Sequence, residues 1–218
     1  MTATTTTATT LGGHEPPHTH RGMPASSSAA GPAPKRIIIA YGFWLFLLSD
    51  IVMFSAFFAT FAVLGKATAG GPTGAELFDA RNVAVETALL LFSSFSCGMM
   101  SLAMDARHRG TFYLGAAITF ILGLGFLVLE MREFADMVAQ GATADRSAFL
   151  SGFFTLVGCH GAHVAVGLLW LVVMVAQVAD KGWRATVLHR LMCFSLFWHA
   201  LDIIWVALFT IVYLMGAR

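Results

Sequence analysis

An all-α bundle of five membrane-spanning helices is the fold class this sequence predicts, and three observations predict it. Of 218 residues, 57% are hydrophobic and only 11% charged, well outside the balance of a soluble globular chain. The apolar residues gather in five runs, near 37–64, 82–104, 111–134, 148–179 and 188–213, each long enough at about 1.5 Å per residue to cross a hydrocarbon core about 30 Å thick. The segments between them carry the Gly, Pro, Asp and Arg that end helices and face water. Lys plus Arg is 13 against 12 for Asp plus Glu, so no basic excess points to nucleic acid.

Residues 1–34 are Thr-rich, then His/Pro-rich, then Ser/Ala/Pro-rich, with almost nothing to bury. A disordered cytoplasmic tail is the expectation, and it has no short apolar core ending in a cleavage site that would mark a removable signal. His14, His18 and His20 could ligate a metal, but nothing pre-organises them, and a solvated tail is the preferred reading. The membrane domain is placed at 35–218. Its five crossings put the two ends on opposite sides.

Basic residues set the orientation. With the N-terminus inside, the inner side holds Arg21, Lys35, Arg36, Arg107, Arg109, Lys181, Arg184 and Arg190; the outer side holds Lys66, Arg81, Arg146 and Arg218, with Arg132 near an outer helix end. Positive charge favours the cytoplasmic side, so the N-terminus is read as cytoplasmic and the C-terminus as periplasmic. Gly70 to Gly74 and Gly141 to Asp145 read as outer turns, Asp105 to Gly110 and Asp180 to Arg184 as inner ones. Tyr41, Trp44, Trp170, Trp183 and Tyr213 read mostly as interfacial anchors.

The informative residues are polar groups inside the runs, because an ionisable group in a span is costly and needs a partner. Asp50 lies near the middle of the first helix, and Glu86 in the outer part of the second, followed by Ser93, Ser94 and Ser96. Glu130 and Glu133 stack one turn apart in the third, near Arg132. His160 and His163 share one face of the fourth, beside Gly158, Gly161, Ala162 and Ala165, small residues that permit close helix contact. His199 and Asp202 occupy adjacent turns of the fifth, flanked by Trp198 and Trp205.

A structural reading is preferred for each. His199 is expected to donate to Asp202 as a clamp facing the bundle's own interior and shielded from lipid by the indoles. His160 and His163 are expected to bond across helices. A proton relay through Asp, Glu and His is the competing reading, but no polar stripe links the two surfaces. A haem or copper centre needs several histidines converging from separate helices, and only His160, His163 and His199 lie deep. Cys97, Cys159 and Cys193 form no C-x-x-C and read as buried hydrophobes. An independent proton-coupled transporter stays open as an alternative, against the lack of inverted repeats and broken spans.

Several segments together resemble subunit III of the haem-copper terminal oxidases. They are F-W-L-F-L-L-S-D-I-V-M-F-S (Phe43 to Ser55), T-A-G-G-P-T-G (Thr68 to Gly74), V-E-T-A-L-L-L-F-S-S (Val85 to Ser94), D-R-S-A-F-L-S-G-F-F (Asp145 to Phe154), H-G-A-H-V (His160 to Val164) and S-L-F-W-H-A-L-D-I-I-W (Ser195 to Trp205). The resemblance runs from Ile37 to Gly216, and its G-G-P-T-G loop points to the five-helix branch of the bacterial bo-type ubiquinol oxidases. Ala162 stands where the family usually has a larger Leu.

The resemblance implies a non-catalytic subunit of a bacterial inner-membrane complex in the aerobic respiratory chain, with no activity of its own. It implies haems and copper in subunit I and none in this chain, direct contact with subunit I, subunits II and IV in the same complex, and bound phospholipid. It places Glu86 on a buried carboxylate of the family and Asp50, Glu130, Glu133, His160, His163, His199 and Asp202 on its other recurrent polar positions. Within the same family, subunit III of a cytochrome c oxidase and the relative that accompanies nitric oxide reductase are the alternatives.

Overall fold

The computed structural model describes residues 35–65, 67, 68 and 80–214. The expected tail at 1–34 and the Gly70 to Gly74 turn lie outside these. Five helices are long and apolar enough to cross a membrane: α1 (Lys35–Leu64), α2 (Ala80–Asp105), α3 (Arg109–Ala139), α4 (Ala148–Lys181) and α5 (Ala185–Leu208), the last continued by a π-helical segment, Phe209–Leu214. No strand occurs among the described residues.

Helix ends follow local chemistry. Ser147 caps α4, its hydroxyl accepting from the Leu150 N–H at 3.2 Å, which satisfies one free amide of the first turn. Gly182 closes α4 at φ 65°, a left-handed conformation that glycine adopts without a Cβ clash. The turn between α2 and α3 places Arg107 at φ 56°. Helix α3 runs to Ala139, past the apolar run read from sequence, because its buried face continues through Phe126, Glu130, Glu133 and Met137. Those positions are spaced i, i+4, i+7 and i+11, one stripe of a helix.

The closest pairing is α2 on α3. A Cβ at Gly115 would lie 3.0 Å from Met100 Cβ and 3.2 Å from its Cα, so the two backbones nearly touch, as small residues in membrane helices permit. The Ser96 hydroxyl donates to the Gly115 carbonyl at 3.0 Å across that contact. Helix α5 packs on α2 and α4, and α1 lies mainly against α4 and α5. It presents Leu47, Phe54 and Phe61 inward at seven-residue intervals, the seam of a left-handed helix pair. It is the least buried helix, and Ile37, Trp44, Val52 and Val63 face outward, an apolar surface suited to lipid.

Trp198 fills the space between three helices. Its ring sits in a notch made by two glycines: a Cβ at Gly123 would lie 3.0 Å from Trp198 Cζ2, and one at Gly167 would lie 2.9 Å from Cζ3. Three helices, α3, α4 and α5, therefore meet on one indole.

Candidate functional site: a buried polar core and an open groove

Two tryptophans of α5 hydrogen-bond to α2, beside a hydroxyl link between Ser101 Oγ and Ser195 Oγ at 3.0 Å. Trp198 Nε1 donates to Ser93 Oγ at 3.1 Å, and Trp205 Nε1 donates to Thr87 Oγ1 at 3.1 Å. Each hydroxyl in turn donates to its own helix, Ser93 to the Leu90 carbonyl at 2.7 Å and Thr87 to that of Val83 at 2.8 Å. Each hydroxyl thus both accepts and donates, and neither of these two indole N–H groups is left bare in an apolar layer, where it would cost several kcal/mol on the order of a lost hydrogen bond.

Trp205 is also the hub of a second cluster, nearer the C-terminal end of α5. Phe126 of α3 meets it edge-on at 4.6 Å, His160 of α4 lies 5.1 Å away at 33°, and Tyr213 of the π-helical end lies 6.3 Å away. Around this hub four predicted polar residues come together in burial: Glu86, Glu130 and His160 are 0% exposed and Glu133 is 8% exposed. Tyr213 donates its hydroxyl to Glu133 Oε2 at 3.3 Å.

The seat for Glu130 is Gly161. A Cβ there would fall 2.5 and 2.6 Å from the two carboxyl oxygens, so glycine admits the carboxyl group between α3 and α4 where a side chain would displace it. Among the described residues neither oxygen of Glu86 or Glu130 and neither ring nitrogen of His160 has a hydrogen-bond partner. The core therefore ties helices together by packing as much as by polar contact.

The histidines depart from the sequence-based expectation of bonds between helices. His163 donates from Nδ1 to the Cys159 carbonyl one turn back, at 2.7 Å, and its ring packs against Phe54 of α1 at 5.4 Å. His160 makes ring contacts to Phe54, Phe126 and Trp205. Steric access explains both: α1 and α5 meet α4 here with aromatic residues, which offer ring faces and no acceptor.

The expected His199–Asp202 clamp is likewise corrected. His199 donates from Nδ1 to the Ser195 carbonyl at 2.7 Å, the Asp202 carboxyl group takes a hydrogen bond from Ser94 and lies within electrostatic reach of His199 while its buried Oδ1 has no hydrogen-bond partner among the described residues, and both residues are half-buried. The indoles do not shield them; Trp198 and Trp205 turn inward to α2. His199 and Asp202 instead line an open groove of about 550 Å³ between α2 and α5, with Ser94 and Gly98 opposite. Asp50 is half-buried on the α1 seam between Leu47 and Phe54 and belongs to neither group.

Two aromatic expectations also change. Tyr213 is 4% exposed and serves the buried core, not an interface. Trp170 packs against Phe43, Phe194 and Phe197. Tyr41 and Trp44 are exposed, as an anchor at a membrane surface requires. The cysteines are free.

No three His, Cys, Asp or Glu side chains among the described residues come together so as to hold a metal ion. What the site can do is fix helix register and offer polar groups to a neighbour at mid-depth.

Residues 29–217 match the family described as cytochrome c oxidase subunit III. The cytochrome bo(3) ubiquinol oxidase subunit 3 of Pseudomonas aeruginosa is 50% identical over 177 residues, 81% of this chain and 85% of that one. Quinol oxidase subunit 3 of Bacillus subtilis is 44% identical, covering 80% and 86%. Cytochrome c oxidase subunit 3 of Bacillus sp. PS3 is 43% identical, covering 80% and 84%. With a family match across the entire five-helix bundle, the chain belongs to the cytochrome c oxidase subunit III family.

Proposed function

We propose that this chain is subunit III of a bacterial ubiquinol oxidase, a multi-pass protein of the cytoplasmic membrane. Its N-terminus is inside and its C-terminus in the periplasm. It contacts subunit I, which carries the haems and copper, within a complex that also holds subunits II and IV. The observation that carries this reading is how the polar residues are used: Trp198, Trp205, Tyr213 and Ser96 spend theirs on helix-to-helix bonds. The buried Asp, Glu and His groups are structural, and phospholipid is the only small-molecule companion expected.

The quinol assignment rests on the Pseudomonas aeruginosa relative, at 50% identity. The Bacillus sp. PS3 relative, at 43%, supports a second reading as a cytochrome c oxidase subunit. Orientation is supported by charge: Arg107, Arg109, Lys181, Arg184 and Arg190 gather where α1 begins, against Arg81, Arg132 and Arg146 at the other end, and basic residues favour the cytoplasmic side. Family membership displaces the independent transporter.

Deleting the chain and assaying the purified remainder tests the proposal. Haem content and the initial rate of oxygen uptake with a reduced ubiquinol should persist, activity should decay sooner during turnover, and reduced cytochrome c should not be oxidised. Oxidation of cytochrome c in preference to ubiquinol would favour the second reading, and loss of all haem would contradict an accessory role.

A further inference from the structure

The groove between α2 and α5 holds two ionisable side chains at mid-span, half-exposed on the outside of the bundle. An ionisable group facing hydrocarbon is costly and is retained where a partner meets it. The chemistry of the groove defines that partner. His199 uses its Nδ1 proton on the Ser195 carbonyl, so a neutral ring offers only the Nε2 lone pair, and Nε2 stands 3.9 Å from the point where a Cβ of Gly98 would be. A carboxylate at Asp202 also only accepts, and the one hydrogen bond it takes from Ser94 leaves acceptor capacity over. Opposite them, Ser94 and Gly98 lie one turn apart on α2, the small-residue spacing that lets a foreign helix approach closely. Leu91, Phe95 and Leu102 form an exposed apolar wall beside them.

We propose that this groove is the docking surface for a transmembrane helix of the neighbouring oxidase subunit, one that presents a hydrogen-bond donor such as Arg, Lys, Asn or Trp at mid-depth to Asp202 and His199. The occupant is a helix because a lipid tail carries no donor at that depth, and it carries a donor because the groove supplies acceptors. The proposal rests on the reading of this chain as an oxidase subunit.

Membranes expressing the tagged full chain with the rest of the complex provide the test. In the wild type, the haem-bearing subunit should co-purify; if it does not, the oxidase reading itself fails. Gly98→Phe fills the groove and Asp202→Leu removes the acceptor, and each should lower the ratio of haem to tagged chain in the purified material by about tenfold or more, the scale of losing a buried charged partner. Ala162→Leu, on an exposed face of α4, should leave the ratio unchanged. Membrane abundance and heat-induced labelling of Cys193 show whether each variant folds, and if Asp202→Leu fails to accumulate, Gly98→Phe carries the test. A photoreactive benzophenone side chain at Phe95, 70% exposed, should form its adduct with another subunit of the complex. Wild-type co-purification with undiminished binding of the folded Gly98→Phe variant would overturn the docking face alone, as would an adduct only with lipid or with a second copy of this chain.

Discussion

Gly161 is where an added methyl group would meet its closest neighbour. An alanine Cβ would lie 2.5, 2.6 and 2.8 Å from Glu130 Oε2, Oε1 and Cδ, whereas favourable non-bonded contact begins near about 3.5 Å. The carboxyl group must therefore retreat by about 1 Å, and it is 0% exposed, so neighbours must move with it. Overpacking of this kind costs about 1–3 kcal/mol, partly offset by up to about 1 kcal/mol of helix propensity gained by replacing glycine.

Gly158→Ala is the control, because its Cβ would meet Phe134 Cε2 at 3.6 Å, an ordinary contact. Heat-induced reaction of Cys97, 0% exposed in the fold, with a fluorogenic maleimide in mild detergent reads the midpoint of unfolding. Gly161→Ala should lower it and Gly158→Ala should not. Shortening the acid with Glu130→Asp should recover part of the loss, a coupling of about 0.5–3 kcal/mol between touching residues. Equal midpoints for the two alanine variants, or strictly additive effects of Gly161→Ala and Glu130→Asp, would refute the reasoning.

Other contacts make similar demands. Gly167→Ala should destabilise by about 1–3 kcal/mol through the Trp198 ring, and Trp198→Phe in the same chain should relieve part of it, measured by the same thiol assay. Trp205→Phe and Thr87→Val each remove one side of the 3.1 Å bond; the double variant should lose less than the two singles combined, by about 1 kcal/mol. Tyr213→Phe removes the donor to Glu133 and should cost about 0.5–1.5 kcal/mol without lowering the amount of chain in the membrane.

Length and apolar content made the five helices legible, because a span must be continuous to satisfy its backbone in lipid. The residues of the polar core were legible for the same reason, since an Asp, Glu or His inside an apolar run stands out. Their partners were not. Trp198 and Trp205 looked like shields for His199 and Asp202, yet their N–H groups reach across to Ser93 and Thr87, and nothing in one helix's sequence states which way a ring turns. A clue was present in the near-matched spacings, six residues from Thr87 to Ser93 and seven from Trp198 to Trp205, as two antiparallel helices in register would give. Tyr213 misled by its place near a helix end, where aromatic anchors are common; the π-helical segment carries it into the core instead. Gly161 was legible as a small residue but not as the seat of a carboxyl group, which depends on where α3 lies.

Whether this chain is an oxidase subunit is tested most directly by tagging it, extracting membranes in mild detergent, and recording the reduced-minus-oxidised spectrum and subunit composition of what co-purifies. A haem-containing complex that reduces oxygen with ubiquinol, from which the chain itself dissociates colourless, is the predicted result. A colourless chain that purifies alone from gently treated membranes would contradict the account.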